Sequence, residues 1–337
     1  MSDNDLFISA WNKVVESVEM YRRGLKVGVE FSHTLAPSEY ERVLIIGMGG
    51  SGIVGEIVSS LAEKSATQVE TFKTIKLPQR LGKNVLVIAV SYSGDTAETN
   101  WAFFDAFSRD AKVVGVSTGG RLTTAMKMRG LPVLPVTSGL QPRFAVPEMV
   151  GIVYGVLSRF EGFSEKLFMK SVDELESYAK NFSNPFPKEA VEPAEAMIDK
   201  PVVAIGPDIL SAALTRFKCQ LNENAKHPCY TSVVPEAFHN EIEGWTMADR
   251  FTYFFVRSGH EHPMVSEALD WCEEYLRTAG AVVRRSAVRS SSFQAEVLKQ
   301  VLFGDLISLA LARLKKIDPT LLKTIPMLRP TLRKYLP

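Results

Sequence analysis

"RVLIIGMGGSGIVGEI", residues 42–57, decides the fold. Its apolar run Val43–Ile46 has the length of a buried strand. Four glycines then fall within the six positions 47–52, and Ile53, Val54 and Ile57 resume helical spacing. A strand that passes through such a turn into a helix gathers free backbone N–H groups at a helix N-terminus, which makes an anion site. Gly47, Gly49 and Gly52 also satisfy G-x-G-x-x-G, and Glu70 lies at about the distance at which a dinucleotide site meets a ribose hydroxyl, so a nicotinamide-dependent oxidoreductase is one reading of the loop.

Working outward, short apolar runs alternate with helical stretches. Strands are expected at "QVETFKTI", "NVLVIAVSYSG", "KVVGVSTGG" and "PVLPVT", with helices running to about 63 and 109. This rhythm predicts a parallel sheet covered on both faces. Ahead of it, Ile8, Trp11, Val14, Val15, Val18 and Tyr21 predict one amphipathic helix over 8–24. Helices over 146–161 and 164–182 lead to a break at "NPFP". A second unit then reads as strands at "KPVVAIGP", "RFTYFFVRSG" and "AVVRRSAV", with helices over 208–226, 264–279 and 293–316. The chain therefore looks like two copies of one α/β plan, divided as 1–155, a helical connection over 156–195, and 196–337. The second copy has "AIGPDILS" where the first has its glycines.

The composition narrows the chemistry. With 337 residues, 46% of them hydrophobic, the chain can bury a large core. Its 39 basic and 38 acidic side chains leave a net charge of +1, which offers no footprint for nucleic acid or an anionic membrane. No apolar run approaches the roughly 20 residues needed to span a bilayer, and no signal-like opening is present, so a cytoplasmic protein is expected. Cys219, Cys229 and Cys272 are too few and too spread for a disulfide framework and read as reduced and structural.

A second polar loop weighs against the dinucleotide. "SYSGDTAETN" places Ser91, Ser93, Thr96 and Thr99 at a strand-to-helix junction, and Ser51 sits inside the glycine loop. Short hydroxyls and helix-terminal amides suit a compact phosphate monoester, whereas a pyrophosphate needs close backbone approach. Taken singly, these hydroxyls are also ordinary caps and turn formers.

"GMGGSGIVGE" followed by "SYSGDTAET" resembles the sugar isomerase (SIS) domain, and "QPRFAVPEM", "KCQLNENAKHP" and "VVPEAFHNEIEGW" are similar to the bifunctional phosphoglucose/phosphomannose isomerases. The resemblance implies two SIS-type subdomains, each a mainly parallel sheet flanked by helices in three α-β-α layers. It implies an aldose–ketose isomerase of hexose 6-phosphates that needs no cofactor and no metal, working as a homodimer with shared active sites. Gly49, Gly50, Ser51, Ser91, Ser93 and Thr96 fall where the family contacts the sugar phosphate. Arg143 matches the arginine that stabilises the enediolate, Glu223 the catalytic base, His239 the ring-opening histidine and Lys299 the active-site lysine. Ser292 stands where the family has a threonine linked to accepting mannose 6-phosphate.

These roles suit the chemistry. A glutamate can carry a proton between C2 and C1, a fixed guanidinium stabilises the enediolate, and a histidine titrates near neutrality. Glu223 also has an ordinary reading, as a surface pair with Lys226. His260 and His262 in "SGHEHP" suggest zinc, but no third ligand at suitable spacing accompanies them. A non-catalytic sugar-phosphate sensor is the alternative function; it would need the phosphate loops without Arg143, Glu223, His239 and Lys299 together.

Overall fold

The computed structural model describes residues 3–62 and 67–335. They form two compact units. One joins Ser17–Val172 to the tail from Leu322, and the other joins the first helix to Asp173–Leu321. Along the chain run α1 (Asp3–Val15), α2 (Val18–Ser32), β1 (Arg42–Ile46), α3 (Gly49–Leu61), β2 (Gln68–Phe72), β3 (Val85–Val90), α4 (Ala97–Ser108), β4 (Lys112–Ser117), α5 (Gly120–Lys127), β5 (Val133–Pro135), α6 (Val146–Leu157) and α7 (Glu165–Ala179). There follow α8 (Lys188–Glu195), β6 (Val202–Pro207), α9 (Ser211–Asn224), β7 (Cys229–Val234), β8 (Thr252–Phe255), α10 (Pro263–Thr278), β9 (Val282–Arg285), α11 (Phe293–Leu314) and α12 (Thr324–Arg333).

In the first unit the strands are all parallel in the order β2-β1-β3-β4-β5. Every residue of β3 is buried, which is why "VLVIAV" reads as an unbroken apolar run: helices cover both faces of the sheet. The second unit repeats the plan with four parallel strands in the order β7-β6-β8-β9. Thus β6, β7, β8 and β9 occupy the places of β1, β2, β3 and β4, and the internal repeat is real.

The predicted leading helix is two helices, broken at Glu16–Ser17. Its stripe serves two cores. Trp11 and Val14 are buried with the second unit, where Trp11 Nε1 donates to the Phe182 carbonyl at 2.8 Å. Val18, Tyr21 and Leu25 are buried in the first. There α2 and α6 meet backbone to backbone through Gly24 and Gly28 on one helix and Gly151 and Gly155 on the other; a Cβ on any of the four would collide with a carbonyl oxygen of the facing helix. β7 was not foreseen, nor were α5, α8 and α12.

All three cysteines are free, as the composition suggested. Burial pushes the thiols of Cys229 and Cys272 up to about 12 and about 11, so both stay protonated and inert. Among the described residues no helix is long and apolar enough to cross a membrane.

Candidate active site

In the first unit the strand order reverses between β1 and β3, the place where open α/β sheets bind ligands beyond their strand ends. Both loops singled out in the sequence leave from there. After β1 the chain turns at Gly49, whose φ of +53° suits glycine, and α3 starts at once with no side chain capping it. After β3, Gly94 takes φ +70° and α4 begins behind Thr96, again without a side-chain cap. The first amides of α3, at Gly49 and Gly50, and of α4, at residues 97–99, therefore have no partner within their own helix, while the Ser51 N–H donates to the Met48 carbonyl at 3.0 Å.

The loops are tied together. Ser51 Oγ accepts the Tyr92 N–H at 3.1 Å, and Ser91 Oγ donates to Thr96 Oγ1 at 3.4 Å. Asn100 Nδ2 holds the second loop from inside through the carbonyls of Gly94 (3.0 Å) and Thr96 (2.9 Å). Ser93 differs from its neighbours: it is exposed, and its Oγ accepts the Asp95 N–H at 3.2 Å. Two helix N-termini, their amides and the hydroxyls of Ser51, Ser91 and Thr96 can surround a compact dianion.

Arg143 joins this half. Its turn, Pro142–Phe144, lies against the glycine loop, since a Cβ on Gly50 would come within 3.3 Å of the Pro142 carbonyl carbon and 3.4 Å of the Arg143 nitrogen. The side chain is 1% exposed, and its guanidinium lies 5.3 Å from the Phe144 ring centroid. An arginine this buried is held for a purpose beyond solubility. The approach to it is braced twice. The Tyr92 hydroxyl donates to Thr137 O (3.1 Å) and accepts the Leu140 N–H (2.8 Å), and burial raises its pKa. The Glu148 carboxylate takes the Thr137 N–H (3.1 Å), the Thr137 hydroxyl (2.9 Å) and Arg23 Nε (2.9 Å).

The second unit carries the other predicted residues on separate elements. Glu223 is in the last turn of α9, half-buried. The ammonium of Lys226 donates to the backbone carbonyls of Glu223 (2.7 Å) and Asp318 (3.1 Å), so it closes the helix end rather than merely decorating a surface pair. α9 is fastened to α11 by the buried pair Arg216–Asp305, at 2.9 and 2.7 Å, and by Asn224 Nδ2 to Ser308 Oγ at 2.9 Å. His239 ends a 3-10 turn after β7 and is exposed, while nearby Trp245 belongs to the core. Lys299, on α11, is engaged by Ser290 and Glu174 rather than by Glu223 or His239. Ser292 caps α11, its Oγ accepting the Ala295 N–H at 3.4 Å.

The anion-binding positions of the repeat are filled from within. At the head of the 3-10 turn leading into α9, Asp208 Oδ1 accepts the Ile209 N–H at 2.9 Å where the first unit has glycines. In the loop after β8, the counterpart of the Ser91–Gly94 loop, the buried Glu296 carboxylate takes the Ser258 hydroxyl, the Gly259 N–H (3.2 Å) and the Ser290 N–H (3.1 Å). Sequence reasoning missed Glu296, Ser290 and Glu174. His260 and His262 serve separate ends: His260 Nε2 meets the Ser290 carbonyl at 3.1 Å, and His262 Nδ1 caps α10 through the Met264 N–H at 3.2 Å. Glu70 is paired with Arg42 at 2.7 Å, drawn toward the start of β1 and away from the glycine loop, which removes the acid a dinucleotide reading needs.

The family follows from comparison with known proteins. A bifunctional phosphoglucose/phosphomannose isomerase of Aquifex aeolicus is 30% identical over 306 residues, covering 88% of this chain and 92% of that protein. The chain belongs to the bifunctional phosphoglucose/phosphomannose isomerase family. A family protein of that name from Caldicellulosiruptor bescii is 27% identical over 327 residues, 92% of this chain and 95% of its own. Within the family frame, residues 186–332 match the bacterial phospho-glucose isomerase C-terminal SIS domain. A solved structure of a hypothetical protein from Thermus thermophilus superposes with a TM-score of 0.73 over 97% of this chain and 89% of that one; at 15% identity the likeness speaks for the fold.

Proposed function

We propose that the protein interconverts glucose 6-phosphate and mannose 6-phosphate with fructose 6-phosphate, in the cytoplasm, by ring opening and proton transfer through a cis-enediolate. The observation that carries the reading is the first unit's pairing of a phosphate nest with a buried arginine: Ser51, Ser91 and Thr96 beside two helix N-termini, and Arg143 packed on Gly50. A sensor needs the nest; it does not need the guanidinium.

In this reading Gly49, Gly50, Ser51, Ser91, Ser93 and Thr96 hold the sugar phosphate. Arg143 stabilises the negative oxygen of the enediolate, charge that exists chiefly in the transition state. Glu223 takes the proton from C2 of the aldose and returns it to C1 of the ketose, and the reverse. His239 exchanges protons with the ring oxygen and anomeric hydroxyl, and Lys299 donates to a substrate oxygen. Ser292 keeps a hydroxyl for mannose 6-phosphate. The reaction is redox-neutral within the sugar, so no cofactor enters. The exposure of His239 suits a homodimer whose members share their sites.

The test is conversion of fructose 6-phosphate to glucose 6-phosphate by purified protein in EDTA, read through a coupled dehydrogenase. Turnover is expected, with Glu223→Gln lowering it about 10²- to 10⁴-fold. Saturable sugar-phosphate binding without turnover would overturn the isomerase and leave a sensor.

A further inference from the structure

We propose that Glu174 and Ser290 are positioning residues that aim the Lys299 ammonium, a step that rests on the isomerase reading above. Lys299 emerges from a helix whose residues 294–298 and 300–312 are all buried. Its Nζ donates to Ser290 Oγ at 2.9 Å and to Glu174 Oε2 at 3.4 Å. Ser290 Oγ in turn donates to the same Glu174 oxygen at 2.6 Å, which closes a triangle.

An ammonium has three donors, and this arrangement takes two, leaving one for a substrate oxygen. A lysine's four-carbon stem is otherwise free to rotate, and a mobile cation loses entropy each time it meets a reacting group. Here it is held from two elements far apart in sequence, Glu174 on α7 and Ser290 ahead of α11. Ser290 is itself fixed on both sides of its peptide: its N–H donates to Glu296 Oε2 at 3.1 Å and its carbonyl meets His260 Nε2 at 3.1 Å. Side-chain exposures of 12% for Lys299 and 25% for Glu174 set the pair apart from a solvated surface ion pair. A clamp of this kind orients the donor before substrate arrives, which is worth most in the transition state.

The experiment compares wild type with Glu174→Gln, Ser290→Ala and the double variant by two readouts. The first is the acetylation rate of Lys299 at fixed pH without substrate, relative to exposed lysines, followed by mass spectrometry. The second is the split between kcat and KM for fructose 6-phosphate. Either single variant should label Lys299 several-fold faster and lower kcat about tenfold to a hundredfold, with KM changed less than about threefold. The double variant should lose little more than the worse single, since the three groups act as a unit.

Labelling at the wild-type rate in both single variants would overturn the clamp. Faster labelling with unchanged kcat would overturn its role in the reaction. Ser290→Ala, a loop substitution, keeps the test decisive if Glu174→Gln folds poorly. Absence of turnover in the wild type would overturn the isomerase reading and with it the role in catalysis; the labelling contrast persists in that case and tells the two failures apart.

Discussion

Replacing Asp305 by alanine takes away the carboxylate that Arg216 meets inside the second unit. The two side chains meet through two hydrogen bonds of 2.9 and 2.7 Å, and the residues are 7% and 2% exposed. Removing one member of such a pair leaves a buried charge without its counter-ion, a loss of about 3–5 kcal/mol. A unit of this size shifts its melting temperature by about 2–4 °C per kcal/mol, so Asp305→Ala should melt about 6–20 °C lower. Arg216→Met with Asp305→Leu removes both charges and refills the volume, and should restore the wild-type melting temperature or exceed it. Differential scanning calorimetry of wild type, Asp305→Ala, the singles Arg216→Met and Asp305→Leu, and their double variant reads the loss and closes the cycle. A loss below about 1 kcal/mol in Asp305→Ala, or a double variant as unstable as the two singles combined, would refute the claim that this pair fastens α9 to α11.

Two further outcomes follow from packing and titration. Gly28→Ala puts a Cβ into the Ile152 carbonyl oxygen and must prise α2 from α6; denaturant titration should find the first unit destabilised by about 3 kcal/mol or more. His227 is held neutral chiefly by burial, which lowers its pKa from the usual 6.5, while Nδ1 accepts from Lys315 Nζ at 3.2 Å and Nε2 donates to Lys200 O at 2.9 Å. A depressed histidine contributes its stability above the unfolded value and loses it as pH falls through the folded one, so melting temperature should drop below about pH 6.5 and the drop should shrink in His227→Gln.

Most of the fold could be read because its strands obey a single period. β1 and β3 are buried on both faces, and a short apolar run ending in glycine or serine admits few alternatives. β7 escaped for the opposite reason. "CYTSVV" buries only Cys229, Ser232 and Val234, stands between Pro228 and Pro235, and lacks an apolar run. The leading stripe misled because helical periodicity survives a break: Val14 and Val18 keep their spacing while facing different cores. At the candidate site, the glycine and serine loops were visible because they are local, each within a few residues of its strand. Lys299 was visible as a charge in an apolar helix, but Glu174 lies 125 residues away and carries no local mark. Arg143 was marked in the sequence only by its motif, "QPRFAVPEM", and its burial came from the fold.

The Glu296 carboxylate gives the two halves of this duplicated fold different relations to solution. A ligand tethered to the chain is present at every dilution and has already surrendered its translational freedom, so the loops it ties at Ser258, Gly259 and Ser290 are set as soon as the unit folds. In the function proposed above, the nest at Ser51, Ser91 and Thr96 takes its anion from outside, since neither α3 nor α4 has a side chain capping its N-terminus. In that reading the phosphate of a metabolite stiffens the loops after β1 and β3 in proportion to its concentration, while the loops that Glu296 ties are set without it.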